Sequence, residues 1–314
     1  MTNSIFQEPW WLEAVAPGQW GEVVIKEDGA IIGRLPYITK KRYGFTLLTM
    51  PKLTPMLGPW LESSDGKYVT QISRSRSLMN QLIEGLPEFD FFVQSFHYSI
   101  KDWLPFYWQG FHQTTQYSYI IDETELDKVW QNIHKNTRLS IRKAEKKGIK
   151  VIESEDLDTL WRINAMSFAR QGLKVPYSFD LLQRIDAACK PRQARKIYIA
   201  LDENSRVHSV KYFIYDRLKV YTLIAGDDPA LRQSGAHSLC QWEAIKFAVS
   251  TSRTFDSSGS MMPNIEPFMR RFGGIQTPYF KITKINSVVA QIAYDLMGWG
   301  QRLKNSIRNK NNRS

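Results

Sequence analysis

The chain has only two cysteines in 314 residues, Cys189 and Cys240, and neither sits in a CxxC pair or beside a pair of histidines. That excludes a disulfide-stapled fold and a zinc site of sequence-adjacent ligands, and it suits a reducing compartment. No stretch approaches the ~18 consecutive apolar residues of a membrane span. Residues 1–11, with Gln7 and Glu8, lack the basic head and apolar core of an export signal. The expectation is therefore a cytoplasmic protein. No serine stands in a GxSxG elbow and no cysteine in a protease-like context, so a nucleophile triad is not expected. Low-complexity segments and fixed-period repeats are also missing.

Apolar residues are plentiful, at 43% with 13% aromatic, enough for a full core and, at this length, two modest domains. The net charge is +11, of which Arg302, Lys304, Arg308, Lys310 and Arg313 supply five in a tail without an acid. Such a surplus raises the local concentration of polyanions, among them nucleotide-sugars, CoA, tRNA and anionic lipid, without choosing between them.

The first third alternates strand-like runs (22–26, 30–40, 45–50) with turn signals at Asp28-Gly29 and Tyr43-Gly44, then a helical pattern between 69 and 86 and a strand at 89–94. From Leu126, Trp130, Ile133, Thr137, Ile141 and Ala144 recur at helical spacing until Gly148, with Lys135, Arg138, Arg142 and Lys146 as a basic ladder on another face. Further helices are expected at 157–170, 178–189 and 236–249, and strands at 195–202, 207–216 and 219–225. The strand ending at Ala225 runs through Gly226, Asp227, Asp228 and Pro229 into a helix, the order in which α/β proteins offer backbone N–H groups to an anion.

Several segments, taken in order, resemble the Fem family of aminoacyl and acyl transferases. They are 20–41 followed by Pro51-Lys-Leu-Thr-Pro-Met-Leu-Gly-Pro59; Trp108-Gln-Gly-Phe111 leading to Gln116-Tyr-Ser-Tyr-Ile-Ile-Asp122; Asn136-Thr-Arg-Leu-Ser-Ile-Arg-Lys-Ala144; and Phe255-Asp256-Ser-Ser-Gly259 with Ile265-Glu-Pro-Phe-Met-Arg-Arg-Phe-Gly273. The resemblance implies an α/β (α+β) fold of two tandem GNAT-like domains, each a mixed, mostly antiparallel sheet flanked by helices. It places them at 1–125 and 151–284, with a basic interdomain helix at 126–150 and an amphipathic C-terminal helix and basic tail at 285–314. The chain lacks the long inserted helical arm of the enzymes that build peptidoglycan cross-bridges. It is more similar to the Gram-negative-type branch linked to surface-polysaccharide assembly.

The implied activity is direct N-acyl transfer: an amine attacks a thioester or ester while the protein orients both, polarises the carbonyl and takes a proton. No tightly bound cofactor is expected; the co-substrate is acyl-CoA, an acyl carrier protein or aminoacyl-tRNA, and the acceptor a nucleotide- or lipid-linked amino sugar. The stretch from Arg232 to His237 resembles the donor-phosphate loop Q/RxxGxG/A, with Arg232, Gly235 and Ala236 as donor-binding candidates and His237 where a second small residue is usual. Asp256, just after a strand, is the first candidate for proton acceptor, with His237 the other catalytic candidate. Arg138, Arg142, Arg270 and Arg271 are the acceptor-binding candidates, since planar, permanently charged guanidinium groups suit diphosphates. Each has a plainer reading as a cap, a packing residue or a solvated charge. Val289, Ile292, Leu296, Trp299, Leu303 and Ile307 fit a last helix that docks on the body or lies on the inner face of an anionic membrane. Two rival readings are a non-catalytic nucleic-acid-binding protein using the basic helix and a degenerate GNAT scaffold without activity.

Overall fold

The computed structural model describes residues 2–287 and 289–292. The expected helix beyond Ile292 and the basic tail therefore lie outside the described residues. After a short helix α1 (Pro9–Val15), the chain forms β1 (Trp20–Glu27), β2 (Ala30–Arg42), β3 (Phe45–Thr49), β4 (Trp60–Leu61), α2 (Tyr68–Glu84), β5 (Phe91–Ser95), α3 (Leu104–Trp108) and β6 (His112–Ile121). The turns joining β1 to β2 and β2 to β3 have positive φ at both central residues, Asp28-Gly29 and Tyr43-Gly44. That backbone twist matches the twist of the paired strands, which is why Asx-Gly-type dipeptides signal hairpins.

The basic stretch expected as one helix is two, α4 (Leu126–Asn132) and α5 (Lys135–Lys146). Ile133 is extended, at φ −65° and ψ 133°, and the ring Nδ1 of His134 accepts from Asn136 N at 3.2 Å, so His134 caps a new helix. Helical periodicity ran through the break because Ile133, like Ile141 and Ala144, is buried. Then come β7 (Lys150–Ser154), α6 (Leu157–Ala169), α7 (Phe179–Cys189), β8 (Arg195–Leu201), β9 (Val207–Tyr215), β10 (Lys219–Asp227), α8 (Ala236–Ser250), β11 (Thr254–Asp256), α9 (Glu266–Arg270) and β12 (Ile275–Ile285).

Among the described residues all twelve strands belong to one sheet, in the order β1-β2-β3-β5-β12-β6-β11-β10-β9-β8-β7, with β4 beside β2. The β3–β5 and β10–β11 strand pairings are parallel, the other strand pairings among the described residues antiparallel. The α/β (α+β) class with a mainly antiparallel, helix-flanked sheet is thus what the chain adopts. The last strand, β12, inserts between β5 and β6, pairing with Phe91–Ser95 on one side and His112–Ile120 on the other.

Three apolar cores flank the sheet. α1, α6 and α7 cover one face of β8–β10 through Trp11, Leu160, Ile185, Tyr212 and Tyr221. α5 and α8 cover the opposite face through Ile141, Ala244, Phe213, Val220 and Phe255. α2 and α3 pack on Leu48, Phe92 and Ile282 of the N-terminal part. Gly226, at the end of β10, permits one of these contacts: a Cβ there would stand 2.6 Å from Asn164 Cα, so α6 can pack this closely only against a bare backbone.

Candidate active site

The parallel strands β10 and β11 stay in register for three residues only, Lys219–Tyr221 against Thr254–Asp256. β10 then shifts register between Thr222 and Ile224, and β11 ends at Asp256, so no ladder joins the two beyond this point. A bulge of this kind bends its strand and re-aims the side chains that follow. Asp256 closes the paired part.

Asp256 is fully buried. Its Oδ1 accepts from Ser118 Oγ at 2.5 Å and from Ser258 N at 2.8 Å, while Oδ2 has no partner of hydrogen-bonding geometry. Two further buried oxygens beside it, Ser257 Oγ and Ser258 Oγ, are also unpartnered. Ser258 adopts φ 59°, a strained conformation for a residue with a Cβ. Buried polar atoms without protein partners are rare in native proteins, and three fall here in consecutive residues.

On the same face of the sheet, Lys219 Nζ donates to Tyr98 Oη at 2.5 Å and stands 3.4 Å from His97 Nε2, and the Tyr98 phenol lies against Asp256. Burial raises the Asp256 carboxyl above its ordinary value, opposed by Ser118, Ser258 N, the Lys219 charge and the Tyr98 hydroxyl. Burial lowers the Lys219 ammonium, opposed by Asp256 and Asp216. Burial also raises the Tyr98 phenol, helped by the Asp256 charge, and drives His97 down to about 3, so its imidazole is neutral. Lys219 is moreover part of the wall of an open cleft of about 980 Å3 between the N-terminal segment, β4 and the β9–β10 turn. Arg192, Arg217 and Arg253 line this cleft with Trp10 and Tyr215.

The donor-loop candidates lie elsewhere. Tyr221, opposite Asp256, packs in the α1/α6/α7 core, whereas Phe255 and Val220 pack under α8. Asp256 and the α8 residue His237 are therefore on opposite faces of the sheet, and the structure does not bring these two catalytic candidates together. His237 Nδ1 is 2.8 Å from Asp227 Oδ1 and 3.3 Å from Ser209 Oγ, and its ring lies on Phe268. Burial and Lys211 push the His237 imidazole below its ordinary value, against the pull of Asp227. Arg232 is exposed, Ala236 is buried, and Gly235, at φ 90°, presses on the backbone carbonyl of Ser140 in α5. A Cβ at Gly235 would overlap that oxygen.

The four arginines fall on the α5/α9 side. His134 N donates to Arg271 O at 2.8 Å, joining the start of α5 to the end of α9 and bringing half-buried Arg138 and exposed Arg271 into one region. Arg142 lies over the Trp130 ring at 5.6 Å, and Arg270 is paired with Glu266 at 2.9 Å.

Sequence reading missed Tyr98, Lys219 and Ser118, and also Lys211, whose fully buried Nζ meets Gln241 Oε1 at 2.5 Å and the face of Phe268. Burial lowers this ammonium to about 8. Lys211 and Lys219 lie in strand-like runs where a lysine ordinarily marks a solvated edge; polar residues in otherwise apolar strands were the available signal.

Residues 131–262 match the family model of the acetyltransferase (GNAT) domain. Among solved structures, the chain is similar to FemX, at 13% identity and a TM-score of 0.64 over 94% of each chain. It is similar to L-PGS from Bacillus licheniformis, at 10% identity and 0.54, covering 93% of this chain and 96% of the other. A third is the C-terminal domain of a putative lysylphosphatidylglycerol synthetase from Agrobacterium fabrum, at 10% and 0.52, covering 88% and 87%. At these identities the likenesses establish the fold. No curated protein matches the sequence.

Proposed function

We propose that this chain is an acyltransferase of the Fem/GNAT-like class that catalyses direct N-acyl transfer with Asp256 as proton acceptor, a reading supported by the GNAT-domain match over residues 131–262. The amine of the acceptor attacks the acyl carbonyl carbon. A C–N bond forms, the C–S or C–O bond of the donor breaks, and the amine proton passes to Asp256 Oδ2. The observation that carries this reading is the buried Asp256 carboxylate held against the Tyr98 phenol, which Lys219 in turn contacts. A carboxyl raised by burial is a stronger base than an exposed one, and Lys219, donating to Tyr98, frees the phenol proton to follow the charge on Asp256.

The acceptor we propose is an amine on a sugar-containing envelope precursor carried on a nucleotide or a lipid. Arg192, Arg217 and Arg253 along the cleft suit its phosphates. For the donor, acyl-CoA is the usual co-substrate of GNAT domains. His237, held by Asp227 where a second small residue is usual, together with the α5 backbone on Gly235, favours an aminoacyl-tRNA or a carrier protein here. The same two features weigh against Arg232, Gly235 and Ala236 as a donor-phosphate loop. The N-terminal strands are read as a second GNAT-like unit, divided from the first at 126–150.

The test is transfer of a labelled acyl group from each of the three donors to amino-sugar acceptors, with wild type and Asp256→Asn. Turnover that Asp256→Asn abolishes supports the reading. Tight, salt-sensitive binding of arbitrary nucleic acid without turnover would replace it with the nucleic-acid-binding alternative. Turnover unaffected by Asp256→Asn would reassign the base.

A further inference from the structure

The face of the sheet opposite Asp256 holds a charged group that the proposed reaction leaves unused. Lys211 of β9 turns toward α8, where its fully buried side chain donates to Gln241 Oε1 at 2.5 Å, and Gln241 Nε2 donates to Thr222 Oγ1 at 3.4 Å. Thr222 stands where β10 shifts register and its pairing with β11 stops. These contacts lead to the gap between the two strands, which Asp256 borders from the other face.

The cover over this group is thin. Phe268 of α9 has its ring centre 4.8 Å from Lys211 Nζ and 4.6 Å from that of His237, yet none of the five residues of α9 is itself buried. The segment carrying α9 begins at Gly259 and ends at Gly273, with φ of 50° and 82°. A Cβ at either would overlap a neighbouring carbonyl, Tyr117 O at 2.0 Å or Asn132 O at 2.6 Å, so bare backbone fixes both ends. Between them Met261 and Met262 are exposed, and ties to the body include Tyr119 Oη donating to Glu266 Oε1 and His134 N donating to Arg271 O. Burying an ammonium against neutral partners costs free energy that the surroundings must offset. Here part of that offset falls to a helix with no buried residue of its own, and elements with few buried contacts open at a fraction of the global cost.

We propose that the segment from Gly259 to Gly273 is a lid, and that when it lifts Lys211 donates a hydrogen bond to the carbonyl oxygen of the acyl donor. The second part rests on the acyl-transfer reading; the first does not. As the acceptor amine adds from the Asp256 face, the carbonyl π pair moves onto oxygen, where a Lys211 N–H stabilises it. The pair returns as the C–S or C–O bond breaks, and Lys211 keeps its protons throughout.

Amine labelling of the full chain with an acetyl N-hydroxysuccinimide ester, read at Lys211 by mass spectrometry across a urea series, tests the lid. Labelling should proceed through an opening with less than about half the urea slope of global unfolding. Tyr119→Phe, which removes the tie to Glu266, should speed labelling in water about tenfold, the worth of one hydrogen bond to a charged group. Leu160→Ala, in the core on the opposite face, should weaken the whole fold and leave that rate unchanged. Labelling with the full global slope, or faster in Leu160→Ala, would overturn the lid. For the contact with the donor, Lys211→Met should lower kcat by about 10²–10³-fold at nearly unchanged KM and without loss of stability. An unchanged kcat would overturn that role of Lys211. Absence of turnover by wild type would overturn acyl transfer and this role with it, while the lid stands or falls on the labelling.

Discussion

Lys219 and Tyr98 lie 121 residues apart in sequence, and their side chains meet at 2.5 Å beside a buried carboxyl. Lys219 follows the β9–β10 turn, and Tyr98 belongs to the loop after β5, so the contact joins the C-terminal part of the sheet to the N-terminal part. The proton acceptor of the proposed reaction is thus tuned by a residue from each half.

Asp256→Asn should lower acyl transfer by ~10²–10⁴-fold, the usual worth of a positioned general base. Its stability effect runs the other way. The native carboxyl is raised by burial, so the native state holds its proton more firmly than the unfolded chain, and wild type loses stability as pH rises from the unfolded to the folded value. Thermal unfolding at pH 7 should show the variant at least as stable as wild type. A markedly lower Tm would mean that Ser118 and Ser258 N need the carboxylate as their acceptor.

Lys211→Met removes a buried ammonium that donates to Gln241 Oε1. Its value is lowered by burial to about 8, so the unfolded chain binds this proton more firmly than the native one. Wild-type stability should therefore rise between about pH 8 and 10.5 relative to the variant, which lacks this dependence. Urea titrations across that range check the sign. A variant that folds well but has lost transfer activity would show that the charge is kept for function.

Much of the fold was legible in the sequence. β8, β9 and β10 were expected at nearly their observed bounds, because long, β-rich runs ended by turn residues carry a strong local signal. The break at Ile133 was not, since two non-helical residues, Ile133 and His134, between two helices leave the buried spacing almost intact. Asp256 could be singled out because it ends a strand. Its partners Ser118, Tyr98 and Lys219 could not, because their meeting depends on strand order, and the insertion of β12 between β5 and β6 has no local signature.

Arg195→Met should destabilise the fold by about 3–5 kcal/mol, the cost of leaving a buried charge uncompensated. Arg195 is 7% exposed and bridges Glu155 and the buried Asp186, which also accepts from Tyr212 Oη at 3.1 Å. Changing Asp186 to Asn in the same chain should recover part of the loss in a denaturant titration. No recovery would place the damage in packing.

Gly235→Ala should cost more than about 1 kcal/mol, because φ is 90° and the new methyl would meet the Ser140 carbonyl. The expected signature is loss of protection in α5 amides by hydrogen exchange. An unchanged exchange pattern would show that α5 can move off α8 freely.

The place of β12 has a consequence for how the chain comes off the ribosome. Until residues 275–285 have been made, β5 and β6 have no strand between them, and two rows of backbone groups stay open. The N-terminal part cannot finish its own sheet when its sequence is complete; it waits for almost all of the C-terminal part. Cutting the gene near residue 125 should give fragments that fail to fold separately yet assemble when expressed together, the second carrying the strand that completes the first.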